Sequence, residues 1–296
     1  MPDKSIAAAA ILGLLWLGEA LVPMFEGREK RVSHGAANLL LGVLNALLSS
    51  FLFAGLVLLV TEWARVRPFG ILHWIDAPAW VIWPAAILLF DCWQYAWHRL
   101  NHAVPLLWRL HSVHHNDGDL DATSGVRFHT FEILLSATVR MAVLPMIGMT
   151  IEQLLLYEAM ALPVVLFHHS NVRVPRGVDR VLRVLIVTPW MHWVHHSRWQ
   201  PETDSNFSSL FSWWDRLFRT FRLRDDPSTI ELGLDGYEEP EWRSLSGMLL
   251  APFRSRTVES GAGRGGSSGG SSGRASGGAS GGARGGPGGP PSTGPG

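Results

Sequence analysis

The 296-residue chain has one cysteine, Cys92, so no intrachain disulfide can staple it. Charge is scarce. Asp, Glu, Lys and Arg make up 17% of the residues, against about 25% in a soluble domain. Neither sign is in excess, with 25 basic and 25 acidic residues. The basic footprint that nucleic acid needs is therefore missing, and no nucleic-acid partner is expected. Tyrosine is rare as well, at three residues. What remains is 47% hydrophobic and holds fourteen tryptophans. Low charge, high apolar content and Trp, which gathers where a bilayer meets water, point to a membrane protein.

Five apolar stretches stand out: Ile6–Phe25, Ala36–Val60, Ala79–Trp97, Phe131–Met149 and Ile151–Phe167. Each is near the roughly 20 residues that a helix needs to cross about 30 Å of hydrocarbon. The first reads as a retained helix rather than a cleaved leader, because no A-x-A site follows it. The last two, parted by "MT" beside Gly148, read as a tight helical hairpin. Arg140 and Glu158 lie nine residues to either side of Met149. They are expected to lie at similar depth and to form an ion pair or a short polar network between the two helices, because intramembrane charges usually pair.

Basic residues order the topology. Arg28, Lys30 and Arg31 follow the first stretch. Arg99, Arg109 and Arg127 lie between the third and fourth, and Arg173, Arg176, Arg180 and Arg183 follow the fifth. Five crossings place all three groups, and the C-terminus, on the cytoplasmic side. Arg65 and Arg67 run against this pattern. Residues 170–226 read as a helical cap at the membrane surface, and Tyr237–Phe253 as a further surface helix. Beyond Thr257 the Gly/Ser-rich sequence has no side chains from which to build a core, so disorder is expected.

Eleven of the thirteen histidines lie between His98 and His196. "HRLNH" carries His98 and His102, and "HSVHH" carries His111, His114 and His115. "FHHSN" carries His168 and His169, and "HWVHH" carries His192, His195 and His196. On a helix, residues three and four apart share a face. The topology delivers all four groups to one level at the membrane surface. Clustered neutral imidazoles suit Zn, Cu, Fe or Ni, and two ions with four or five ligands each would use most of these nitrogens. Lone His34 and His73 read as polar anchors. A zinc peptidase would need Glu after the first His, where Arg99 stands. Soluble di-iron bundles use Glu-x-x-His, which occurs nowhere here.

The run "DCWQYAWHRLNHAVPLLWRLHSVHHNDGDLDATSGVRFHTFE", then "FHHSNVRVP", "TPWMHWVHHS" and "DSNFSSLFSWWDRLFRT", resembles the fatty acid hydroxylase superfamily. Sterol desaturases and the alkylglycerol monooxygenase belong to it. The match runs from about Asp91 to Thr220 and is specific in order and spacing. The resemblance implies an all-α, integral-membrane bundle of four to five crossings with a cytoplasmic histidine-rich cap. It also implies two iron ions (zinc after aerobic purification), O2 as co-substrate, and a ferredoxin- or cytochrome-type electron donor. The reaction would hydroxylate or desaturate a C–H bond of a lipid, fatty acyl or sterol-like substrate. The ligands it implies are His98, His102, His111, His114, His115, His169, His192, His195 and His196.

His168 and His129 are further candidates, as ligands or as supports. Of the carboxylates near the boxes (Asp117, Asp119, Asp121, Glu132, Asp204), Asp91 and Asp215 are favoured to orient imidazoles through their free N–H. Asn171 and Asn206 match family positions. The family usually has one histidine before Ser-Asn, doubled here as His168 and His169; two further departures are Thr130 in place of a frequent Pro and Arg219 in place of Gly. The expected divisions are membrane helices over 1–78, the di-metal catalytic region over 79–226, a surface segment over 227–256 and the tail over 257–296. Competing readings are a non-catalytic membrane metal carrier and a zinc hydrolase.

Overall fold

The longest helix is written for lipid rather than water. In the computed structural model, which describes residues 2–27 and 30–254, helix α2 runs over Arg31–Val66. It buries His34, Asn38, Asn45 and Thr61 while Val43, Leu47, Phe51 and Leu58 stand exposed. This inverts the pattern of a helix facing water and suits one whose outer face meets hydrocarbon. At 36 residues and 1.5 Å each it is about 54 Å long, more than a bilayer core requires.

The other long helices are α1 (Pro2–Leu21), α3 (Ala79–Ala103), α5 (Thr130–Ile147) and α6 (Ile151–His169). Helices thus cover the five apolar stretches, except that the first leaves its helix after Leu21 and the fourth after Ile147. Among the described residues, three segments are long and apolar enough to cross a membrane: Arg31–Trp74, Thr130–Ile147 and Ile151–His169. The apolar part of α1, Ile6–Leu21, is shorter, and α3 carries Asp91, Arg99 and its histidines. The shorter helices among the described residues are α4 (Pro105–His115), α7 (Arg176–Leu182), α8 (Pro189–His195), α9 (Gln200–Thr203), α10 (Trp213–Leu217) and α11 (Leu245–Arg254). Among the described residues there is no strand, only isolated bridges such as Pro23 with Val172. The expected surface helix is confined to α11. The expectation for residues beyond Thr257 falls outside the described residues.

The α5–α6 hairpin turns on Gly148, whose φ of 81° is left-handed, a conformation glycine adopts without strain. Thr150 then caps α6, accepting from Gln153 N while the Gln153 side chain accepts from Thr150 N. Gly70 packs against this turn so closely that a Cβ there would collide with the backbone of Gly148 and Pro145. As expected from their spacing, Arg140 Nη1 and Glu158 Oε1 meet, at 3.4 Å.

Three apolar clusters hold the elements. Phe90, Leu144, Ile147, Leu154 and Tyr157 join α3, α5 and α6. Leu41, Trp108, Val113 and Met248 lock α2, α4 and α11. Leu120, Trp193, Val194 and Ile230 anchor α8.

His34 is not the interfacial anchor that an isolated histidine suggested. It is buried, with Nε2 2.8 Å from Asp117 Oδ1 and Nδ1 3.1 Å from Asp121 Oδ2. Arg127, also buried, donates to Asn38 Oδ1 and Val113 O. Glu19 accepts from Ala122 N and Asn171 N. These polar contacts join α1 and α2 to the loop after α4. The two departures are accommodated differently. Thr130 donates to Asn45 Oδ1 at 2.8 Å. Arg219 takes a left-handed φ of 61°, at about 1 kcal/mol for a residue with a Cβ.

Candidate metal centre

The two His-x-x-His-His boxes lie on short helices, α4 and α8, each opened by a proline in its first turn. Proline fits there because the missing N–H has no partner in the first turn. Each box then points its imidazoles in two directions. His111 and His115, four apart, join His98 and His102 of α3 and His195 of α8. His192 and His196, also four apart, join His169 and His114 of α4. Each helix therefore gives an i, i+4 pair to one group and lends its i+3 histidine to the other. In each group one ligand-type nitrogen per residue lies within 4.8 Å of all the rest.

The ring nitrogens divide by role. His98 Nδ1 donates to Phe207 O (2.8 Å), His195 Nδ1 to Ser205 O (2.7 Å), His114 Nδ1 to Arg127 O (3.1 Å) and His169 Nδ1 to Val165 O (2.7 Å). A carbonyl only accepts, so each of these Nδ1 atoms carries the proton and each Nε2 is a bare lone pair. Yet His98 Nε2 lies 3.0 Å from His195 Nε2, and His114 Nε2 lies 3.1 Å from His169 Nε2. Two lone pairs at that distance repel. Protonation is a poor remedy, because burial pushes His195 down to about 3 and, with neighbouring imidazoles, holds His114, His115, His192 and His196 well below the usual histidine range. A cation at the convergence point removes the repulsion. The buried Nε2 atoms of His102 and His111 and both nitrogens of His115 have no other partner.

Two carboxylates touch the rings. His111 Nδ1 donates to Glu132 Oε1 at 2.7 Å, and His102 Nδ1 to Asp204 Oδ1 at 3.2 Å. Asp91 and Asp215, favoured from spacing, do not reach an imidazole. Asp91 accepts from Tyr157, Trp214 and Phe211 N, tying α3 to α6 and to the loop before α10. Asp215 accepts from Phe207 N and Ser208 N, so it fixes the loop whose Phe207 carbonyl holds His98.

Asn206, with φ 52°, donates to Met191 O and Arg222 O and sets the turn beneath α8. Asn171 exchanges hydrogen bonds with Phe25 N and O, fastening the segment after α1. His129 lies away from both groups, where it caps α5 and donates to Leu249 O. His168 packs tilted against His192, ring centroids 4.0 Å apart and Nδ1 unpartnered, beside the four-histidine group but not in it.

A cavity of about 240 Å³ opens against both groups. It follows Glu132, Ser136 and Arg140 along α5 and Val165, Ala161 and Tyr157 along α6. Eight residues of helix make this about 12 Å long, running from the histidines between membrane-spanning helices.

The sequence of residues 83–220, which holds all nine grouped histidines, matches the family model "Fatty acid hydroxylase". A cholesterol 25-hydroxylase-like protein of Danio rerio is 30% identical over 173 residues, 53% of this chain and 67% of that protein. The chain belongs to the fatty acid hydroxylase family. Other similar family members are the ornithine lipid hydroxylase OlsE of Rhizobium tropici and the alkylglycerol monooxygenase of Homo sapiens. OlsE is 29% identical over 160 residues, 52% of this chain and 47% of that protein. The human protein is 27% identical over 234 residues, 76% of this chain and 49% of that protein. The chain thus spans about half the length of these two relatives. No solved structure matches it.

Proposed function

We propose that the chain is a membrane-bound, O2-dependent oxidoreductase in which the two histidine groups hold two iron ions, and that it hydroxylates or desaturates a C–H bond of a lipid. The observation that carries this reading is the convergence of bare, buried imidazole nitrogens into two adjacent groups at the end of an intramembrane cavity. Five nitrogens in one group exceed the four that a tetrahedral zinc site takes. When bound, the irons supply O2 reduction and oxidation of an unactivated C–H bond, with electrons from a separate ferredoxin- or cytochrome-type donor.

The chain's own residues do the rest. Carbonyls of Phe207, Ser205, Arg127 and Val165 fix the rings. Glu132 and Asp204 raise the basicity of His111 and His102. Burial keeps the donors neutral and water out. The stripe from Val165 to Tyr157 gives an acyl or sterol-like chain an apolar wall. The named activities of the relatives, on ornithine lipid, alkylglycerol and cholesterol, support a lipid substrate. On this reading the histidine site and the C-terminus lie on the cytoplasmic side, where a soluble donor has access.

Metal analysis of anaerobically purified protein is expected to give two irons per chain. Lipid extracts from cells with and without the protein are expected to differ by one added oxygen or two lost hydrogens in one lipid class. Bound metal with unchanged lipids would instead mark a non-catalytic metal-binding protein, and one ion per chain would end the two-metal reading.

A further inference from the structure

Among the described residues outside the spanning helices, the cap exposes an apolar face around α7. α7 and the turn after it expose Val178, Val181, Val184 and Leu185, with Val181 at 72%. Residues 183–186 run beside 211–216. Ser212 N donates to Leu185 O, and Trp213 Nε1 to Val184 O. Exposed Trp213 and Leu217 therefore extend the same face. A contiguous apolar patch rimmed by charge marks a site of interaction.

The rim is cationic. Arg176, Arg180, Arg216 and Arg219 are exposed. The nearby carboxylates Asp179 and Asp215 are buried, held by Thr188 and Arg183 and by main-chain N–H groups. Asp225 approaches Arg176 only to 4.0 Å. Arg219 stands in the strained left-handed conformation where the family pattern has glycine, so the chain adds a charge at a position that disfavours a side chain. α7 also follows α6, one of the helices long and apolar enough to span a membrane, after a short connection.

The geometry points to a membrane-surface site: the α7–α10 face seats in the headgroup layer of a leaflet containing anionic lipids. Its valines, Leu217 and Trp213 enter the acyl boundary, and its arginines meet phosphates. Residues after Val258 carry no large apolar side chain that would cover it. The seat holds the cap, and with it α8, against the bilayer from which a lipid would enter. It does not depend on the metal centre, and its test needs no turnover.

The full chain, with Cys92→Ala, is placed in nanodiscs of phosphatidylcholine alone or mixed with phosphatidylglycerol. Nitroxides at Val181→Cys and Leu217→Cys are compared by power saturation with one at exposed Ser228→Cys. Labels at 181 and 217 are expected to favour collision with O2 over a water-soluble nickel chelate, and the label at 228 the reverse. Phosphatidylglycerol should deepen the labels at 181 and 217. Replacing Arg176, Arg180 and Arg219 together by Gln should abolish that deepening. Nickel access at 181 and 217 equal to that at 228 overturns the proposal. Dipolar broadening at 181 that disappears on dilution with unlabelled protein also overturns it, because a second copy would then cover the face. Depths that ignore both phosphatidylglycerol and the arginine replacements overturn the anionic recognition.

Discussion

The five-histidine and four-histidine groups use the same residue type at the same spacings, yet they are supported differently. In the five-histidine group, two rings donate to carboxylates, Glu132 and Asp204, and two to carbonyls. In the four-histidine group, two rings donate to carbonyls, while the Nδ1 atoms of His192 and His196 have no partner. Carboxylate charge joins backbone dipoles in holding the first group, while only backbone dipoles and packing hold the second. The first therefore suits a tightly retained cation. The second has fewer nitrogens, and both groups reach the cavity, the first through His98 and His111 and the second through His114, His169 and His192.

The sharpest way to break this comparison is to remove one nitrogen from each side. His195→Ala and His169→Ala should each abolish lipid oxidation. Each should lower bound iron from two per chain toward one, as read by quantitative metal analysis of anaerobic protein. If either variant kept two irons and full activity, the partition into two groups would be wrong. Next, Glu132→Gln should weaken metal retention about 10–100-fold, and only in the five-histidine group. A chelator competition that shows equal loss from both groups would contradict the charge-held reading.

Buried support outside the groups comes next. His34→Ala leaves Asp117 and Asp121 without their shared buried partner and should lower stability by about 3 kcal/mol, seen as a lower thermal midpoint in detergent. An unchanged midpoint would mean that water or a neighbouring group replaces the ring.

Acidity affects both groups in one direction. His195 is held at about 3 by burial, against 6.5 when unfolded. Between those values the unfolded chain binds more protons at this ring, so the stability that such neutral imidazoles contribute to the metal-free protein is full above about 6.5 and is lost as pH falls toward 3. Stability that rises on acidification would contradict neutral, buried imidazoles. The smallest effect concerns Arg140 and Glu158. The cycle of Arg140→Met and Glu158→Gln should show a coupling of about 0.6 kcal/mol, and additive losses would remove the pair.

Much of the architecture was legible because period and solvent leave marks on residue type. Apolar runs announced the long helices. The His-x-x-His-His spacing announced helical faces, and the symmetric placement of Arg140 and Glu158 about Met149 announced their meeting. His34 was misread because a single histidine carries no pattern, and its two aspartates lie more than eighty residues away. Asp91 and Asp215 were expected at the imidazoles because they lie near the boxes. They instead brace the main chain around the site, while Glu132 and Asp204 reach the rings.

By itself the sequence determined that the chain is helical and membrane-embedded, and that its boxes present imidazoles in i, i+3, i+4 sets, because 3.6 residues per turn converts spacing into direction. Tertiary structure alone decided how nine nitrogens divide into five and four, and which ring nitrogen is left bare. Four of the six rings whose Nδ1 is held donate to main-chain carbonyls, of Phe207, Ser205, Arg127 and Val165. Every residue has a carbonyl, so the choice of these four is written only in how the loops and helices pack.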